Sequence, residues 1–201
     1  MDERSTRTDN VAPAHSAMKP GLERVVVVGS SCSGKTTFAR RLAAALGTPH
    51  IELDALHWLP HWTERPVEDF RALVANAVSS EGWVVDGNYS KARDLIWPKA
   101  TCIVWLNYGF PTVMTRALFR TFRRSLTGEE LYSGNRETFR KALFDKESIL
   151  LWVLTSFRRR RRGFRQLRKN KTFPHLSWFE FRTPGEAERF LLHGGDTIKK
   201  R

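Results

Sequence analysis

The chain has 201 residues, 41% of them apolar, and a formal net charge of +13. That length and apolar share suit one domain with a sizeable core and exclude wholesale disorder. No apolar run reaches the roughly 20 residues that a membrane-crossing helix needs.

In chain order, residues 1–22 read as a flexible leader, polar and mixed in charge, without the apolar stretch of a signal peptide. Arg24–Gly29 reads RVVVVG, a β-branched run without alternation, which predicts a strand covered on both faces. Gly34–Leu46 carries Phe38, Leu42 and Leu46 at helical spacing and stops at Gly47. His50–Leu53 predicts a second strand, with Asp54 at its end. Val67–Val78 predicts a helix through Phe70, Leu73, Val74 and Ala77. Trp83–Val85 predicts a third strand, stopped by Asp86-Gly87, and Thr101–Leu106 a fourth.

Further along, Pro111–Leu126 predicts a helix with Val113, Ala117, Leu118 and Phe122 on one stripe and arginines on the other. Residues 129–136 read as a loop and 137–166 as one or two helices. Leu176–Phe181 predicts a fifth strand, and Pro184–Leu192 a closing helix before Gly194-Gly195. Strands alternating with helices imply a parallel sheet with helices on both faces. The expected domain spans residues 23–195, with an insert at about 127–172 and a basic tail at 196–201.

Between Thr155 and Thr172 there are nine Lys or Arg residues and no acids. Such a segment attracts nucleic acid, attracts nucleotide phosphates, or forms a solvated helix face. Only two cysteines occur, Cys32 and Cys102, one in a predicted loop and one in a predicted strand. Without a paired framework they point to a reducing cytoplasm.

The sharpest signal is Gly29-Ser30-Ser31-Cys32-Ser33-Gly34-Lys35-Thr36, followed by Thr37. Glycines at both ends permit a tight turn and a close approach of backbone to phosphate. Successive backbone N–H groups then form an anion-binding nest at a helix N-terminus. Lys35 is placed to reach the β- and γ-phosphates of ATP, and the Thr36 hydroxyl to ligate Mg²⁺. A buried-type strand before the motif and an amphipathic helix after it supply the context the motif requires. Cys32 occupies a free position of the loop, as a small filler or as a thiol tuned by the helix terminus.

RVVVVGSSCSGKTT, then IELDALHW, WVVDGNYSKARD, and CIVWLNY followed by RALFRTFRR together resemble the adenylate-kinase-related P-loop proteins. Within them the bacterial topology modulation proteins are the most similar group. The resemblance implies a P-loop NTPase fold of the nucleoside-monophosphate-kinase type: a five-stranded parallel sheet, helices on both faces and a helical basic lid. It also implies transfer of the terminal phosphoryl group of ATP-Mg²⁺ to a small acceptor.

On this resemblance Asp86, in VVDGN, matches the acid beside the metal and its water. A carboxylate at the carboxyl edge of a parallel strand faces the ligand crevice in any case. Asp54 matches an acid that holds the acceptor hydroxyl or assists the metal, the alternative being a helix N-cap. Arg116 and Arg120, four apart on one helix face, match an arginine pair that stabilises phosphoryl charge. Arg93 lies three residues beyond the arginine of the DGFPR pattern, and Asn88-Tyr89-Ser90 replaces FPR, a departure from an AMP acceptor. No cysteine quartet for zinc is present. His57, Trp58, His61 and Trp62 read as aromatic packing at the acceptor pocket, or as a metal pair if helical.

Three functions follow as expectations. One is a small-molecule kinase with Lys35, Asp54, Asp86, Arg116 and Arg120 catalytic and Thr36 and Asp86 at the metal. The second is a nucleotide-gated nucleic-acid-binding protein using Arg158 to Arg168. The third is an ATPase-like module.

Overall fold

Four consecutive valines decide the centre of the fold. Val25 and Val27 point to one side of strand β1 (Arg24–Gly29), Val26 and Val28 to the other, and all four are buried. A run that is apolar on both sides must be covered on both sides. The computed structural model describes residues 21–127, 132–134 and 149–192. The expected leader and basic tail, most of the loop at 129–136 and the helical stretch at 137–148 lie outside these residues.

Strand β1 is followed by helix α1 (Lys35–Leu46), strand β2 (His50–Glu52) and a short helix α2 (Leu53–His57). A hairpin of β3 (Trp58–Leu59) and β4 (Thr63–Glu64) leads to α3 (Val67–Ala77) and β5 (Trp83–Asp86). Then come α4 (Arg93–Ile96), β6 (Cys102–Leu106) and α5 (Phe110–Thr127). The chain closes with α6 (Ile149–Lys169), β7 (Ser177–Phe181) and α7 (Pro184–Leu192). The sheet order is β2-β5-β1-β6-β7, and every pairing is parallel.

One face of the sheet packs on α1 and α7 through Phe38, Leu42 and Phe190, and on α5 through Val113 and Ala117. The other packs on α3 and α4 through Phe70, Val74 and Ile96. Helix α6 belongs to both layers. Its Val153 and Phe157 join the first core and Phe164 the second. Phe70 is fully buried, so Phe70→Ala is expected to cost about 3–5 kcal/mol of stability, read as a shift of the urea midpoint with the slope unchanged.

The five-stranded parallel sheet with helices on both faces agrees with the sequence reading. Three local readings need correction. Leu118 and Phe122 do not share the buried stripe of α5. They are 50% and 57% exposed, while the buried positions run Val113, Ala117, Thr121 at a strict spacing of four. The hairpin β3–β4 was not legible, because left-handed turn residues His61 and Trp62 (φ 60° and 55°) and a Trp58–Trp62 edge contact make it. Finally, β2 ends at Glu52, and Asp54 lies in α2.

His57 is buried among the rings of Trp58, Phe70 and Tyr89, with centroids 4.8, 5.3 and 4.6 Å away. Burial lowers its pKa against the pull of Glu64. Above pH 6.5 both folded and unfolded chains hold it neutral and it has no effect. As pH falls below that value the unfolded chain takes the proton first, so stability drops. The urea midpoint is expected to fall as pH drops below about 6.5, and His57→Gln to flatten that slope.

Candidate active site

The loop from Gly29 to Lys35 joins the central strand to α1, at the carboxyl edge of the sheet. Here strand order switches direction, with β5 and β2 on one side of β1 and β6 and β7 on the other. Such a switch point opens a crevice for ligands. The loop is tightly walled. A methyl group at Gly29 would lie 2.8 Å from the Leu106 carbonyl oxygen, and one at Gly34, whose φ is +89°, 2.9 Å from Arg116 Nη1. Only glycine fits at both places.

Inside the loop, the Ser33 amide donates to Ser30 O at 3.2 Å and the Phe38 amide to Gly34 O at 3.0 Å. Ser33 Oγ is buried without a hydrogen-bond partner. Cys32 adopts φ +60°. Lys35 Nζ donates to Ser30 O at 3.1 Å. Burial pushes the Lys35 ammonium below its usual pKa, opposed by the charges of Asp86 and Asp54. Ser31 is half-buried, and Thr37 is exposed on the first turn of α1.

Thr36 stands between two acids. Its hydroxyl lies 3.1 Å from Glu52 Oε1 and 3.1 Å from Asp86 Oδ1. One proton thus serves two carboxylates. Asp86 Oδ2 is held by His50 Nε2 at 2.7 Å, and Glu52 accepts from the Tyr132 hydroxyl. Burial raises the Tyr132 pKa, and the bond to Glu52 adds to it, so it stays a donor. Hydroxyl and carboxylate oxygens around an acid-rich point form the donor set of a hard cation. Among the described residues no group of three or more His, Cys, Asp and Glu could hold a metal alone.

Arg116 and Arg120 both come to the loop. Arg116 Nη1 donates to Ser33 O at 2.8 Å, with its guanidinium 5.2 Å from the centre of the Tyr108 ring. Arg120 Nη1 lies 4.0 Å from Cys32 Sγ. Asp54 accepts from Tyr89 OH at 2.6 Å, and burial, then the charge of Asp54, raises the Tyr89 pKa. Arg160 of α6 is drawn into the same neighbourhood. Burial lowers its pKa, Arg159 adds to that, and Asp54 opposes it. Arg158, Arg162 and Arg165 are exposed and Arg168 pairs with Glu180 of β7 at 2.9 Å, so the basic segment divides between the site, the last strand and solvent.

Sequence reasoning missed Glu52 and His50, and it placed Asn88 in the acceptor pocket without seeing its grip on the loop. The first two carried a usable signal. Ile51 faces the core, so His50 and Glu52 share the opposite side of the strand, toward α1. Register then sets Glu52 beside Asp86. Asn88 grips the start of the loop from both sides. Its Nδ2 donates to Gly29 O at 2.6 Å and its Oδ1 accepts from Gly29 N at 3.4 Å.

A phosphate cradle behind the central strand of this sheet defines a P-loop NTPase fold of the nucleoside-monophosphate-kinase type. The chain belongs to the AAA domain family, whose profile matches residues 25–187. Two solved structures are similar to it. A gluconokinase from Sinorhizobium meliloti 1021 is 20% identical at a TM-score of 0.48, over 86% of this chain and 91% of that one. Shikimate kinase from Acinetobacter baumannii, in complex with shikimate, is 18% identical at a TM-score of 0.48, over 89% and 96%. No curated protein matches the sequence. No helix among the described residues is long and apolar enough to cross a membrane.

Proposed function

We propose that this protein is a cytoplasmic phosphotransferase, moving the terminal phosphoryl group of ATP to the hydroxyl of a small acceptor. The observation that carries the reading is the Thr36 hydroxyl between Glu52 and Asp86, directly behind Lys35. The loop from Gly29 to Thr37 wraps the phosphates, and its main-chain amides supply the anion contacts. Thr36 and Asp86 would hold Mg²⁺, which when bound neutralises charge between the β- and γ-phosphates. His50 keeps Asp86 in place.

Lys35, Arg116 and Arg120 balance the charge spread over the transferring oxygens. Asp54, oriented by Tyr89, takes the proton of the acceptor hydroxyl. No covalent enzyme intermediate is needed. The motifs quoted above support a place with the adenylate-kinase-related topology modulation group. Both cysteines are buried and in no disulfide. The test is calorimetry of ATP and GTP with Mg²⁺, followed by a labelled-ATP transfer screen. Retention of neither nucleotide by the folded protein would sink the reading.

A further inference from the structure

We infer that Tyr132 is a built-in competitor of Mg²⁺, its hydroxyl holding the oxygen of Glu52 nearest Thr36 until ATP-Mg²⁺ displaces it. This rests on the phosphoryl-transfer reading above and adds to it a control on loading.

The two acids beside Thr36 are held in different ways. Asp86 turns Oδ1 to the Thr36 hydroxyl and Oδ2 to His50, so support comes through the oxygen remote from the loop. Glu52 instead meets Thr36 and Tyr132 with one and the same oxygen, Oε1. A carboxylate oxygen has about two lone-pair sites. With both turned to hydroxyls, that oxygen has none left for a cation or for one of its waters. His50 thus steadies its acid from behind, whereas Tyr132 stands in front of its own.

The phenol proton has a physical reason to be there. Thr36 has one proton for two carboxylates, and acids brought together need a positive partner. A hydroxyl donor on Glu52 supplies part of what a divalent cation supplies in full. Burial, then the bond to Glu52, then the charge of Asp54 hold the phenol protonated. It therefore remains a donor and adds no further negative charge.

The turn that carries Tyr132 is also fastened to the hairpin β3–β4, where Ser133 Oγ donates to Trp58 O at 2.9 Å. Ser133 and Gly134 take left-handed backbone, with φ 55° and 77°. For serine that conformation has a cost, which these hydrogen bonds help to offset. Tyr132 is half-buried, Ser133 is exposed, and neither belongs to either core. The turn can move aside without opening the sheet.

Calorimetry of ATP on the full chain, once with Mg²⁺ and once with EDTA, tests this. Tyr132→Phe keeps the ring and removes the hydroxyl. Affinity for ATP-Mg²⁺ is expected to rise by roughly 10- to 100-fold, the effect of one hydrogen bond to a charged group. Affinity in EDTA should stay within about twofold. Ser133→Ala should act in the same direction by about threefold, as the loss of one neutral hydrogen bond. Nitration by tetranitromethane, mapped by mass spectrometry, reads the displacement itself. Tyr132 of the wild type should react faster with ATP-Mg²⁺ present than without it.

Unchanged or weaker ATP-Mg²⁺ binding in Tyr132→Phe, a gain that persists in EDTA, or nitration of Tyr132 that ATP-Mg²⁺ slows or leaves unchanged overturns this inference alone. ATP-Mg²⁺ retained by neither the wild type nor Tyr132→Phe overturns the phosphoryl-transfer reading and this inference with it.

Discussion

Lys35→Ala is expected to slow phosphoryl transfer by about 10³-fold and to weaken ATP binding by roughly 10- to 100-fold, with the thermal midpoint almost unmoved. The ammonium is the one charged group built into the phosphate loop itself. Its hydrogen bond to Ser30 O is intraloop, so removing it leaves the sheet and both cores untouched. Burial already lowers the ammonium's pKa, which means that part of its solvation has been given up in the folded chain. A polyphosphate tail restores that lost stabilisation, more strongly as charge shifts toward the leaving group. Calorimetry and single-turnover transfer measure the two effects separately. Equal ATP affinity in mutant and wild type would refute the placement of the nucleotide.

Asp54→Asn should separate the two readouts. Transfer is expected to fall by about 10²- to 10⁴-fold, the range for losing a positioned general base, while the ATP dissociation constant stays within about twofold. The amide keeps the shape and still accepts a hydrogen bond from Tyr89, so the loss reports on proton transfer rather than on packing. Tyr89→Phe leaves the carboxylate in place but unoriented. It should show a smaller drop in kcat, of about tenfold, matching one hydrogen bond of ordinary strength. If Asp54→Asn weakens ATP binding as much as it slows transfer, Asp54 serves the metal side of the site instead.

Much of this arrangement was legible because local rules and the fold agree. A β-branched run, a glycine-framed turn and an amphipathic helix follow one another between Arg24 and Leu46, and each element points to the next. The strands at Trp83 and Cys102 announce themselves by unbroken apolar runs. What escaped depends on contacts between distant segments. Glu52 meets Thr36 only because β2 pairs with β5 in parallel register. Asp54 looked like a strand end because Leu53 is apolar and buried, whereas that residue already belongs to α2. On α5 the error was one of phase. Leu118 and Phe122 are apolar but exposed, and nothing in the helical period distinguishes a buried stripe from one turned outward. Arg160 could not be separated from its neighbours in RRRRR, since which arginine turns inward depends on how α6 crosses the two cores.

The short stretch after β5 ties both ends of the site to one piece of backbone. Asn88 fastens the first residue of the phosphate loop, and Tyr89, its immediate neighbour, holds Asp54. A molecule that shifts the tyrosine therefore tugs on the residue gripping Gly29. Any coupling this tie carries between the two sides must, by thermodynamic reciprocity, be equal in both directions.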